Sequence, residues 1–229
     1  MRQEHITSRQ NPLLVHIRKL QASRSYRKAS GEFVAEGTKL LEEAAKWYPG
    51  LHTVVCREGL RLCKLPEQVR VVTVPEDVFK SISTVDTPQG AIFLCRLPEQ
   101  QQADLTAGTL LLDGCADPYS FKTVRASMGA VFRMDIPAIT EAEVLAQCAE
   151  KNLMLTVTAL NDRAVDIRGA DFRNAVAVIG SEGQGVRQSL LEAAAQSVII
   201  PMQAHCESLN AAIAAAIVMW QMKNGEYGG

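Results

Sequence analysis

The 229-residue sequence predicts an α/β protein in two parts, on three observations. Short β-branched runs alternate with amphipathic helical stretches along the chain. A Gln-rich segment without apolar periodicity, LPEQQQADLTAG, interrupts that alternation. Beyond it the strands become continuous apolar runs, the pattern of a parallel sheet covered by helices on both faces. The expected organisation is a small α/β unit with a basic leader over 1–96, a linker over 97–108 and a parallel-sheet α/β domain over 109–229.

In the first part, FVAEG (33–37) has the composition of a short strand, and TKLLEEAAKW (38–47) that of an amphipathic helix with Thr38 as a possible cap. HTVVC (52–56), VRVVTV (69–74) and GAIFLCR (90–96) are strands, and PEDVFKSIS (75–83) opens with Pro, Glu and Asp as helices do. The second part should run strand TLLLD (109–113), a strand near 136–139, helix 141–151, strand LMLTVTA (153–159), strand AVAVIG (175–180), helix near 185–194, strand SVIIP (197–201) and a final helix near 207–223. No internal repeat is present.

Composition limits the function classes. With 47% hydrophobic and 21% charged residues the chain can bury a substantial core. The N-terminus carries no signal-type apolar stretch, and the longest apolar run, 211–220, is half a membrane span, so a soluble, cytoplasmic protein is expected. Six cysteines without a C-x-x-C pair indicate reduced thiols, and the four histidines are isolated, so no metal site is expected. Net charge is −1, but residues 1–28 hold seven basic residues against one acid, while the rest hold 17 basic and 24 acidic. A basic leader on an acidic body suits phosphate contact with a nucleic acid, and equally suits a solvated helix face.

Two segments carry chemistry. In AVAVIGSEGQGVRQSLLE (175–192) a buried strand runs into Gly180, Gly183 and Gly185 before a helix, so the backbone can turn sharply at the carboxyl end of a parallel strand, where α/β proteins bind ligands. It is neither G-x-G-x-x-G nor a P-loop, and a tight turn without a ligand gives the same pattern. Glu182 within it suits a hydroxyl or a cation better than a phosphate. In IIPMQAHCESLNAAIAAAIVMW (199–220) a strand ends at Pro201 and a helix rich in Ala, Ile and Val follows. Ser208 has the place of an N-cap; Asn210, opening an apolar helix, is harder to explain by packing.

The ordered pair V-I-G-S-E-G-Q-G-V and I-P-M-x(5)-S-L-N-A-A-I-A-A-A resembles motifs two and three of the SpoU/TrmH family of RNA ribose methyltransferases, within the SPOUT superfamily. TSRQNPLL and FVAEGTKLLEEA resemble its ribosomal-protein-like substrate-binding domain, so the resemblance covers nearly the whole chain. It implies a C-terminal trefoil knot that binds S-adenosylmethionine, with Gly180, Ile200, Met202 and Leu209 around the cofactor. Glu182, Ser208 and Asn210 match the family's polar reaction-centre positions. It further implies methyl transfer to a ribose 2'-hydroxyl of rRNA or tRNA, RNA rather than DNA or a membrane as partner, and a homodimer.

Family members also carry a first motif, D-P-x-N-x-G-x-x-x-R-T-A, whose Arg is proposed to help activate the hydroxyl. Here Asp117-Pro118-Tyr119-Ser120 up to Arg125 could be a degenerate copy, but it departs at three positions. The stretch D-P-Y-S-x-K-x-x-R-A-S-x-G-A-x-F-R (117–133) instead matches a segment that normally follows the second strand of that domain. The join then falls near Cys115, one strand–helix unit of about thirty residues is absent, and Arg125 is not a catalytic candidate. Impaired turnover and poor solubility are expected. The alternatives are a non-catalytic RNA-binding protein that keeps the cofactor pocket and a nucleotide-binding α/β protein without an RNA role.

Overall fold

The computed structural model describes residues 3–99, 101–106, 108, 110–203 and 209–227. The chain forms two compact units: residues 1–101 with 114–136, and residues 102–113 with 137–229.

The first unit begins with β1 (Gln3–His5), then α1 (Pro12–Ala22) and α2 (Arg24–Ser30), two helices built from the basic leader. Asn11 accepts from the Leu13 amide with Pro12 in the first turn, and Ser23 accepts from the Tyr26 amide, so each helix starts on a side-chain cap. There follow β2 (Glu32–Glu36), α3 (Thr38–Trp47), β3 (Leu51–Arg57), β4 (Arg70–Val74), α4 (Glu76–Lys80) and β5 (Ala91–Arg96). The sheet order is β1-β4-β3-β5-β2, parallel from β1 to β3 and antiparallel through β5 and β2. Alternate residues point to opposite faces, and both faces are covered. Phe33, Ala35, Val54 and Cys56 face α3. Val34, Val55, Val72 and Ile92 face Leu14, Ile17 and Leu20 of α1 and Phe79 of α4.

By their contacts, residues 114–136 group with the first unit. Ser120 caps α5 (Phe121–Ala126), and a 3-10 turn follows at Ala130–Phe132. Val124, Val131 and Phe132 join the core of Phe33 and Phe93, with the Phe132 ring centroid 6.3 Å from Phe33 and 5.9 Å from Phe93. Asp117 accepts from Arg27 Nε at 2.9 Å and Nη2 at 2.6 Å. Arg27 is 95% buried, and its guanidinium also donates to the Leu20 carbonyl. Arg27, which the basic leader offered equally to a phosphate or to solvent, is therefore an interior anchor.

The second unit comprises β6 (Leu111–Leu112), β7 (Ala138–Ile139), α6 (Glu141–Glu150), β8 (Met154–Thr158), β9 (Val165–Asp166), β10 (Ala175–Val178), α7 (Gln188–Ala193), β11 (Gln196–Ile199) and α8 (Ala211–Tyr227). β10-β8-β11-β9 form a wholly parallel sheet, and β6 pairs parallel with β7. Thr140 and Glu143 make a reciprocal capping box on α6. The expected linker is only partly a connector: Gln147 of α6 holds the Ala103 carbonyl and the Leu105 amide, and Lys151 pairs with Asp104. The full two-sided cover expected of the strands is not reached. β10 buries only Val178 and β11 only Val198, while α8 leaves Ile213, Met219 and Trp220 exposed.

Candidate active site

Three parallel strands, β8, β10 and β11, end around one cavity of about 380 Å³, within the range of small-molecule sites. The motif-two segment forms its floor. After β10 the chain doubles back at Ser181, whose amide donates to the Gly185 carbonyl at 3.0 Å and whose carbonyl accepts from the Gly185 amide at 2.9 Å. Gly185 turns at φ 67. A Cβ on Gly180 would lie 2.6 Å from the Gly185 carbonyl carbon, so the turn closes only on a residue without a side chain. Gly183 has open space around it and no left-handed φ, and the structure gives no reason for a glycine there.

Gly180, Ile200, Met202 and Leu209 all line this cavity, as does Glu182. Glu182 Oε1 accepts from Asn210 Nδ2 at 2.6 Å and from the Ala211 amide at 3.1 Å. The carboxylate thus sits on the N-terminus of α8, where the helix dipole favours negative charge. Asn210 Oδ1 in turn accepts from the Ala212 and Ile213 amides at 3.0 and 3.4 Å, so its place at the head of an apolar helix is explained by capping. The helix begins four residues later than the expected start at 207. Ser208 lies outside the described residues.

Sequence reasoning missed the run Thr158 to Asn161, which lines the opposite wall. Thr158 Oγ1 accepts from the Gly180 amide and donates to the Val178 carbonyl, both at 3.4 Å. These residues form no motif, and only the rule that neighbouring parallel strands share a ligand-binding end points to them. No Lys, Arg or His is among the described residues lining the cavity. Arg187, at the foot of α7, is held by Asp113 at 2.8 Å and Glu141 at 3.2 Å. Among the described residues no cluster of three His, Cys, Asp or Glu could hold a metal ion, and no helix is long and apolar enough to cross a membrane.

Residues 102–220 match the SpoU rRNA methylase family, and residues 11–92 match an MRM3-like substrate-binding domain. The chain belongs to the SpoU rRNA methylase family. Among its relatives, the 23S rRNA (guanosine(2553)-2'-O)-methyltransferase RlmP of Bacillus subtilis is 25% identical over 250 residues, covering 96% of this chain and 99% of the relative. A crystallised RNA 2'-O ribose methyltransferase is 28% identical with a TM-score of 0.75, covering 97% of this chain and 99% of that one. The AdoMet-bound rRNA methyltransferase of Sinorhizobium meliloti shares the fold, with a TM-score of 0.81 at 24% identity over 97% of this chain and 98% of that one. The alignment with the B. subtilis SpoU relative spans 250 positions against 229 residues here, so that relative carries residues with no counterpart in this chain.

Proposed function

We propose that the chain is an S-adenosylmethionine-dependent methyltransferase for a ribose 2'-hydroxyl of rRNA or tRNA, with turnover limited by the absence of the first motif. The observation that carries it is the cavity at the ends of β8, β10 and β11, closed by both motif segments, with Glu182 and Asn210 paired 2.6 Å apart at its rim. Its largely apolar wall suits an adenosyl and thioether body. Gly180, Ile200, Met202 and Leu209 would hold S-adenosylmethionine, which when bound supplies an electrophilic methyl group. The family's trefoil knot is part of this reading.

The protein's own groups supply orientation. Glu182 Oε2 makes no hydrogen bond among the described residues and can accept the proton of an RNA hydroxyl. Asn210 holds that carboxylate in place and caps α8 at the same time. Ser208 is assigned to the same centre from its motif position. Isothermal titration with S-adenosylmethionine, followed by mass spectrometry of RNA digested after incubation, tests the reading: no cofactor binding would end it.

Gly180→Ala tests the floor of the site. A Cβ 2.6 Å from the Gly185 carbonyl carbon forces the turn to move, a strain worth about 1–3 kcal/mol, so cofactor affinity falls about tenfold with the thermal transition retained. Unchanged affinity would place the cofactor elsewhere.

Ile213, Met219 and Trp220 of α8 stand 53%, 57% and 69% exposed in the second unit, apolar surface left uncovered among the described residues. A second copy covering it is the homodimer proposed here. Sedimentation velocity should show concentration-dependent self-association that Trp220→Glu weakens; a monodisperse monomer at every concentration would refute the dimer.

A further inference from the structure

We propose that the first unit carries a guanine-reading nucleotide pocket, with the Glu36 carboxylate as its acceptor and Lys39 and Arg125 as its phosphate contacts. The ligand class rests on the RNA methyltransferase reading above; the pocket itself does not.

A cleft of about 370 Å³ lies between the end of β2, the first turn of α3, the 84–89 loop and α5. Glu36 lies in its wall and is 94% buried. Its Oε1 accepts from Ser83 Oγ at 2.6 Å. Its Oε2 is fully buried and has no hydrogen-bond partner among the described residues. A buried carboxylate oxygen without a donor is costly, and structures rarely keep one without a use. Burial also pushes the Glu36 carboxyl above its usual range, against the hydrogen bond from Ser83, the nearby Thr84 backbone and the attraction of Arg125. Lys39 and Arg125 line the same cleft, are exposed, and form no ion pair among the described residues. Asp86 is the one exposed acid on the rim. Met128, also lining the cleft, stands 72% exposed with a left-handed φ of 49, a backbone conformation unusual for a side chain of its size.

A ligand for this cleft presents hydrogen-bond donors inward, negative charge outward and a flat apolar face to the Met128 thioether. A metal ion has no hydrogen-bond donor to offer, and an amine, which has, is repelled by Lys39 and Arg125. A nucleotide meets all three. Uracil offers one N–H between two carbonyl oxygens, and adenine and cytosine offer an amino group beside a ring acceptor. Guanine alone sets N1–H and N2–H side by side, matching the two oxygens of one carboxylate. Oε2 has no exposed area, so guanine binding requires residues 83–89 to move.

The test uses the full chain and fluorescein-labelled RNA pentamers UUGUU, UUIUU, UUAUU, UUCUU and UUUUU, where I is inosine, read by anisotropy. UUGUU should bind about tenfold tighter than UUUUU, with UUIUU between them for want of the N2 amine. Glu36→Gln should abolish that preference while leaving S-adenosylmethionine affinity unchanged. Lys39→Ala and Arg125→Ala, both at exposed positions, should weaken all five pentamers and lower the salt dependence. Equal affinity for all five, a preference for adenine or cytosine, or a guanine preference that survives Glu36→Gln would overturn the pocket. Should Glu36→Gln not fold, the ranking of the five pentamers and the two cation variants decide it alone. Flat pentamer affinities with intact cofactor binding sink only the pocket; guanine preference without cofactor binding sinks only the methyltransferase reading.

Discussion

With total RNA and radiolabelled S-adenosylmethionine, the chain should transfer methyl at least about 100-fold more slowly than the same chain carrying a strand–helix unit of about thirty residues inserted between Gly114 and Asp117. A ribose hydroxyl is a poor nucleophile at neutral pH, and a positioned base with a supporting cation is worth about 10²–10⁴ in rate. The cavity supplies a carboxylate, Glu182, but no Lys, Arg or His among the described residues of its wall. Neither nearby arginine in sequence makes up the loss. Arg187 is committed to Asp113 and Glu141, and Arg125 lines a cleft of the first unit beside Glu36. Cofactor affinity should be the same in both proteins, because the segments that line the cavity are common to them. The deficit then lies in turnover. Robust 2'-O-methylation by the unaltered chain would show that Glu182 and Asn210 suffice.

What the sequence revealed of this site follows from where its residues sit. Gly180, Glu182, Ile200, Met202, Leu209 and Asn210 fall in two contiguous segments, and the structure gathers them at one cavity. Thr158 to Asn161 complete the wall from a strand end with no residue pattern of its own, so only the finished sheet order exposes them. The inner strands of the first unit were legible because β-branched runs of five to seven residues leave few other conformations. β1 was not: Gln3–His5 is a short polar edge strand whose structure comes from pairing with Val71–Thr73, far along the chain. The likeness of 117–133 to a family segment was legible in the sequence. The place of that stretch in the fold was not, because the partners of Val124 and Phe132 lie on β2 and β5, and nothing local names them.

Arg27→Ala or Asp117→Ala should each destabilise the first unit by about 3–5 kcal/mol, the cost of leaving one member of a buried ion pair uncompensated. Arg27 is 5% exposed, and its side chain serves two ends of the unit at once: Nε and Nη2 hold Asp117, and Nη1 holds the carbonyl of Leu20 at the end of α1. Asp117 in turn accepts from the Tyr119 amide, which sets the turn into α5. Removing the carboxylate therefore frees both a buried cation and the entry to α5, whose Val124 and following Phe132 fill the core beneath β2. Truncation of Arg57, whose bond to Glu76 is surface-exposed, should cost less than about 1 kcal/mol. Urea unfolding separates the cases: the two buried-pair variants should lose several kcal/mol, and hydrogen exchange over 117–132 should accelerate in both. Replacing both partners with leucine should recover part of the loss, since no lone charge is then buried. An Asp117→Ala midpoint indistinguishable from that of the unaltered protein would mean that water reaches the Arg27 guanidinium, and that the aromatic packing of Phe132 against Phe33 holds the segment by itself.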